Sequence, residues 1–343
     1  GVTEAPESFY TSELMNNAKA YSNTAIVVLG RILGEGNDYS HYQYVNRGED
    51  DRNRRLQSIS ALEEVLIKQA TDNFENVIIV TNTTNPMELG FADEDKIDAV
   101  LHMGTPGTRG TIGVANLLSG KANPSGKLAD TWAYNLSTAA SFATSGREGV
   151  GSYTDISSDT SLNNRQNKYS EYLENIYTGY MWYETADAEG FWDTQYAKKR
   201  WGISKGYEDV VQYPFGYGLS YTTFDWLVNS VQLVRKGTVV NNNVTNGATI
   251  AKDDKLVIEV NVTNTGDVAG KDVVELYYSA PYTKGGIEKS AIKLGTFAKT
   301  PLLQPKQFAT LKLEMDISTM KSYDCYDKNN NGFMGYELEK GDY

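Results

Sequence analysis

Carboxylates are the side chains with the most chemical reach in this sequence, and one is placed unusually. In "AIVVLGRILGEGNDYS", residues 25–40, Glu35 stands between Gly34 and Gly36, shortly after an apolar run. A carboxyl group there can pass a proton to or from a bound molecule. Glycines on either side let the backbone turn sharply and let a ligand approach with no Cβ in the way. Gly30, Gly34 and Gly36 also suggest a phosphate cradle, but the spacing is GxxxGxG rather than GxGxxG, and no helical pattern follows at once. Glu35 would itself repel a pyrophosphate. A tight turn with a solvated glutamate is the third reading, and on spacing alone it is the default.

Other chemistries have less to work with. Cys325 is the only cysteine, so neither an intrachain disulfide nor a CxxC site can form. His41 and His102 are the only histidines, far apart and off any zinc spacing, and no GxSxG elbow accompanies them. "GTPGTRG", residues 104–110, offers a helix start and Arg109 to an anion, but such a loop is more often only a turn. "DKNNNGFMGYELE" has Asp327, Asn329, Asn331 and Gly332 in register with the front of an EF-hand loop. Its twelfth position is Leu338, where a bidentate glutamate is required, so a hairpin turn around Asn331-Gly332 is expected instead of calcium. The reading requires no metal and no cofactor.

Composition narrows the class. The 343 residues, 40% of them hydrophobic, suffice for two ordinary domains with separate cores. A net charge of −12 and a pI near 4.8 argue against nucleic acid, which needs a basic stripe. No run of about 18 apolar residues is present to span a membrane. Tyrosine is frequent at 24 residues, and a flat ring with a polar tip suits sugars as well as it suits a core.

The elements that must position Glu35 alternate from residue 24 to about 132. "TAIVVLG", "NVIIVTN" and "IDAVLHMG" read as buried strands. "SALEEVLIKQATDNF" reads as a helix with Ser60 and Glu63 at capping-box spacing, "NPMELGF" as a short helix with Pro86 in its first turn, and "TRGTIGVANLLSG" as a helix closed by Gly120. This order implies a largely parallel α/β sheet with helices on both faces. Residues 133–222, rich in Ser, Thr, Asn, Asp and Tyr, read as a long excursion of loops. From about 226 onward the pattern is all-β. Leu256, Ile258, Val260 and Val262 alternate in one segment, and Leu311, Leu313, Met315 and Ile317 in another, with turn signals between, as in a sandwich.

Taken in order, the motifs resemble glycoside hydrolase family 3, the β-glucosidase and β-xylosidase group. "AIVVLGRILGEGND" is similar to its strand and GEG loop, and "NVIIVTNTTNPMELG" to its next strand and helix. "GKANPSGKLADTW", "YLENIYTGYMWYET" and "YPFGYGLSYTTF" resemble three of its signature strings, and "VNVTNTGDVAGKDVVELYYSAP" its fibronectin type III-like domain. The resemblance spans roughly residues 24–343. It implies a partial α/β sandwich domain over 1–225 and a fibronectin III-like domain over 226–343.

In function it implies part of a retaining β-glycosidase, a β-glucosidase in the first instance, acting on an oligosaccharide or β-glycoside. Glu35 matches the family's acid/base, Arg31 and Asp38 would orient it or contact the sugar, and Gly34, Gly36 and Tyr39 would line the substrate. The aspartate nucleophile belongs to a TIM-like barrel that this sequence lacks, to be supplied in cis or by a second chain. Asp225-Trp226, the one Asp-Trp pair, follows the "YGLSYTTF" string and reads as structural. Asp38-Tyr39 replaces a common Asp-Arg, and Thr108-Arg109 a common Gln-Glu, which bears on the leaving group and the sugar. The chain is expected to begin inside the sandwich domain and, in "ELEKGDY", to end on a strand that runs on. A soluble protein of the bacterial cytoplasm, or a secreted or periplasmic one, fits this picture. The alternative is a non-catalytic carbohydrate-binding or scaffolding module.

Overall fold

The computed structural model describes residues 5–31, 51, 54–143, 152–155, 167–170 and 172–343. They form two compact units. The first holds residues up to 114 together with 131–175 and 192–213; the second holds 115–130, 176–191 and 214–343.

In the first unit, helix α1 (Ser12–Tyr21) is capped by Thr11, whose hydroxyl accepts from Leu14 N. It leads into strand β1 (Thr24–Gly30), which pairs in parallel with β2 (Asn76–Asn82), and β2 pairs in parallel with β3 (Ala99–His102). Helix α2 (Ala61–Asn73) is the crossover between β1 and β2 and packs against both. Its capping box is complete: Ser60 Oγ accepts from Glu63 N, and Glu63 Oε2 accepts from Ser60 N. Val27, Leu29, Val77 and Ile79 are buried, Val77 and Ile79 completely, whereas Ile26 and Val28 on the other side of β1 are half exposed at 50% and 54%. A second helical layer does not cover that part of the sheet among the described residues.

"NPMELGF" is not a helix. The chain runs irregularly through 83–89, and only a 3₁₀ turn forms, at Gly90–Asp93. Pro86 disfavours helical backbone at Asn85 before it. Met87 and Leu89 are both fully buried, and that spacing of two suits extended backbone rather than a helix. Helix α3 (Gly107–Leu118) follows β3 and closes at Gly120, whose φ of +72° favours glycine.

The expected loop excursion is partly regular. Short strand β4 (Trp132–Ala133) pairs with β7 (Val211–Tyr213), and β5 (Ser152–Asp155) with β6 (Asn167–Ser170). Helices α4 (Tyr180–Ala188) and α5 (Gln195–Trp201) also lie there, α5 between a Thr194 cap and a left-handed Gly202. Helices of 9 and 7 residues are too short to leave a clear 3.6-residue period.

The second unit is built on antiparallel sheets. Strands β8 (Phe224–Arg235), β9 (Thr238–Asn241), β10 (Asp254–Asn264) and β13 (Phe308–Asp316) lie in the order β13-β10-β8-β9. Strands β11 (Val273–Tyr278) and β12 (Lys293–Lys299) form a second sheet. Val260, Val262, Leu311 and Leu313 share one core with Val274 and Leu303, and Ile258 packs on it. Leu256 instead joins Met315, Ile317 and Met320. The register against β8 shifts between Glu259 and Val260, a bulge that bends the long strand. Strands β14 (Ser322–Asp324) and β15 (Gly335–Glu337) pair as a hairpin around 325–334, with Gly332 at φ +81°.

Candidate active site at the carboxyl end of the parallel sheet

Open α/β sheets bind ligands beyond the carboxyl ends of their strands. Here that edge is formed by Gly30, Asn82 and His102, the last residues of the three parallel strands. Arg31 follows β1 directly and extends its pairing, with its backbone N–H donating to Asn82 O at 3.1 Å.

The Arg31 side chain is buried, with 2% of its surface exposed, as is that of Glu63, with which it forms a two-pronged ion pair. Nη1 donates to Glu63 Oε1 at 2.6 Å and Nη2 to Oε2 at 2.8 Å. The remaining donors go to main-chain carbonyls: Nη1 to Gly30 O at 2.8 Å, Nε to Leu56 O at 2.6 Å and Nη2 to Ser58 O at 2.6 Å. A guanidinium has five N–H groups, and all five are engaged. Among the described residues Arg31 is therefore a fixture of the scaffold with no donor left for a sugar. Removing one member of such a buried pair costs about 3–5 kcal/mol, because the other charge is stranded.

Asp51, 1% exposed, is anchored to the same helix end: its Oδ1 accepts from Ala61 N at 2.8 Å and lies 3.3 Å from Arg54 Nε. The segment between is held from two sides. Arg54 pairs with Glu64 at 2.6 Å, Arg55 Nε donates to Glu88 Oε1 at 2.6 Å, and Ser58 Oγ donates to Glu88 Oε2 at 2.5 Å. Glu88 Oε1 also accepts from Leu136 N at 2.8 Å. At the end of β3, His102 Nδ1 lies 3.0 Å from Thr81 Oγ1, and its ring meets the buried Trp132 edge to face at 5.0 Å.

Glu35, Gly34, Gly36, Asp38 and Tyr39 lie outside the described residues. Of the predicted site residues only Arg31 is placed. Glu63 and Asp51 were not singled out as site residues. Glu63 carried a signal only as the fourth member of a capping box, which says nothing of a partner 32 residues earlier.

An open polar hollow in the same unit is lined by Tyr134, Ser204, Lys205, Glu208 and Asp209. Asp209 accepts from Ser204 Oγ, Lys205 N and Ser204 N, which together hold its carboxyl below the ordinary carboxylate range. Tyr134 is pushed up to about 12 by burial and by donating to Asp93 at 2.6 Å. A carboxylate that already holds a turn and a phenol that keeps its proton make a poor acid/base pair at neutral pH.

The signature strings take up different work, and the bonds that follow lie within the second unit. Leu128 N donates to Tyr217 O at 2.8 Å, and Gly216 N donates to Leu128 O at 2.8 Å. Asn123 Oδ1 accepts from Ser220 Oγ and Tyr221 N, and its Nδ2 donates to Ala269 O. A Cβ on Gly218 would lie 2.1 Å from the main-chain oxygen of Gly126, so only glycine fits. Tyr177 donates to Glu288, Tyr180 Oη accepts from Leu294 N, and Thr185 Oγ1 accepts from Ala291 N. Trp226 Nε1 donates to Asp272, and Asp225 is a paired residue of β8, so the Asp-Trp pair is part of the sheet.

The glycosyl hydrolase family 3 C-terminal domain matches residues 9–221, and the chain belongs to that family. It is 32% identical, over 96% of its length, to beta-glucosidase A of Butyrivibrio fibrisolvens, and covers 36% of that protein. It is 32% identical to a beta-glucosidase of Ruminococcus albus, covering 96% of this chain and 27% of that one. Among solved structures it is similar to a beta-glucosidase from Paenibacillus barengoltzii, at a TM-score of 0.72 and 31% identity, covering 100% of this chain and 30% of that one. Beta-glucosidase 3B from Thermotoga neapolitana is similar at 0.64 and 28%, covering 94% and 36%. The chain thus spans about a third of the length of these relatives.

Proposed function

We propose that this chain is the acid/base-bearing part of a retaining β-glycosidase that releases terminal sugars, with a β-glucoside as substrate. The observation that carries the reading is the glycine-flanked Glu35, four residues past Arg31 in a family whose similar members are named beta-glucosidases. Glu35 gives its proton to the leaving oxygen as the glycosidic bond breaks, then takes one from the water that releases the sugar. The nucleophile is an aspartate of a barrel-type catalytic domain outside this chain, in cis or on a second polypeptide. A retaining pair needs its two carboxyl groups about 5 Å apart. This chain alone is therefore inactive in the proposal.

Arg31 then serves orientation rather than sugar contact, while Asp38, Gly34, Gly36 and Tyr39 remain on the substrate side. The partial α/β sandwich domain is read over residues 1–225 and the fibronectin III-like domain over 226–343. The compact units divide differently, with 115–130, 176–191 and 214–225 in the unit of the antiparallel sheets, and the core shared between the β10/β13 and β11/β12 sheets supports the second assignment. Among the described residues no helix is long and apolar enough to cross a membrane. A cytoplasmic, periplasmic or secreted enzyme is compatible with this.

The test is Glu35→Gln in the polypeptide that also carries the catalytic domain. Turnover of p-nitrophenyl β-glucoside should be lost and partly restored by azide, a nucleophile that needs no general base. Unchanged turnover would instead favour a carbohydrate-binding or scaffolding module. The observation on that side is the exposed tyrosines of the β14–β15 hairpin, Tyr323 and Tyr336 with their rings in contact at 5.0 Å and Tyr326 in the connecting loop, at 55%, 64% and 76%.

A further inference from the structure

The geometry points to Glu63 as a positioning residue that, through Arg31, fixes where the chain leading to Glu35 leaves the sheet; this rests on the acid/base reading of Glu35. Residue 31 is held in every direction available to it. Its backbone continues the β1–β2 pairing at Asn82, and its side chain spends all five donors on Gly30, Leu56, Ser58 and Glu63. Residue 51, at the other end of segment 32–50, is fixed through its own carboxylate to Ala61 N. Both flanks of segment 32–50 therefore converge on one feature, the first turn of α2 at residues 60–63.

Glu63 does more there than a cap requires. A capping box needs one side-chain oxygen on the N-cap N–H, and glutamine serves as well as glutamate. Glu63 supplies that bond with Oε2, at 2.7 Å, and also offers both oxygens to Arg31. The second duty is the one that needs a charge, and it ties the end of β1 to the rigid helix behind it. A catalytic carboxyl carried on a loop has to be held within a fraction of an ångström, and rigid anchors at the loop's base supply that precision.

The capping and clamping duties separate experimentally. Glu63→Gln in the polypeptide with its catalytic domain keeps a capping acceptor but removes the charge that Arg31 requires. The readout is kcat/KM across β-glucosides of graded leaving-group ability, because a displaced acid matters only where the leaving oxygen needs a proton. We expect a loss of about 10²-fold for an alkyl β-glucoside, far less for the 2,4-dinitrophenyl β-glucoside, and azide acceleration of the latter. Thr194→Ala, which removes an unrelated cap, should lower the melting temperature with no leaving-group dependence. If Glu63→Gln does not fold, Arg31→Lys keeps the buried cation, loses the fork, and should give the same dependence. Equal losses across the series, or none, would overturn the inference. Glu35→Ala in the same series separates the two readings. If it too lacks the leaving-group dependence, the acid/base assignment fails; if it alone shows it, only the positioning role does.

Discussion

The end of β1 and the docking of the signature strings are each fixed in place, by opposite means. At the end of β1 the device is charge: a buried guanidinium with five acceptor atoms on four residues, and two carboxylates anchored on one helix end. In the second unit the device is close backbone approach, with Leu128 exchanging main-chain bonds with Gly216 and Tyr217, and Gly218 seated where any side chain would collide. Charge clamps are directional and fix an orientation, which chemistry needs. Backbone contacts demand glycine and proline at set places, which makes them easy to see in a sequence while saying little about catalysis.

The largest expected effect breaks the first region. Glu35→Gln in the intact enzyme should lower kcat by about 10²–10⁴-fold while leaving the melting temperature within a degree or two of the parent. A normal kcat would remove the functional distinction between the two regions.

That contrast also explains what was legible. The capping box at Ser60 and Glu63 was readable because its four residues are contiguous, and so were the strand faces at Leu311, Leu313, Met315 and Ile317, all buried as alternation predicts. The Arg31–Glu63 pair was not, since it joins residues 32 apart with nothing local to announce it. The segment "NPMELGF" misleads because a proline that suits a helix start competes with the burial of Met87 and Leu89. Tertiary burial prevails over local preference there. The signature strings were visible one by one, but their pairing across some ninety residues of sequence was not.

Three smaller predictions sharpen the comparison on the second side. Leu313→Ala, in the core shared by the two sheets, should destabilise the chain by about 3 kcal/mol, read by urea unfolding, with kcat per folded molecule unchanged. Gly218→Ala should cost about 2 kcal/mol by overpacking against the Gly126 main chain, again with kcat intact; a loss of kcat would tie the strings to chemistry.

The smallest effect concerns pH. The side-chain hydrogen bond from Arg235, with that from Ala251 N, holds the Asp254 carboxyl below its ordinary range. Its folded value is thus below its unfolded one, so its stabilisation is present above about pH 4 and fades as pH falls through the folded value. Asp254→Asn should be less stable at neutral pH and show a flatter acid limb; an unchanged limb would mean the pair contributes nothing.

The central claim is that this chain holds one of two catalytic carboxyl groups. The most direct measurement is release of p-nitrophenol from its β-glucoside by the purified chain alone, beside Glu35→Ala and beside the longer polypeptide that carries the catalytic domain. The account predicts turnover only in the longer polypeptide. Turnover by the chain alone, abolished in Glu35→Ala, would contradict it, because a second carboxylate would then have to lie within these 343 residues.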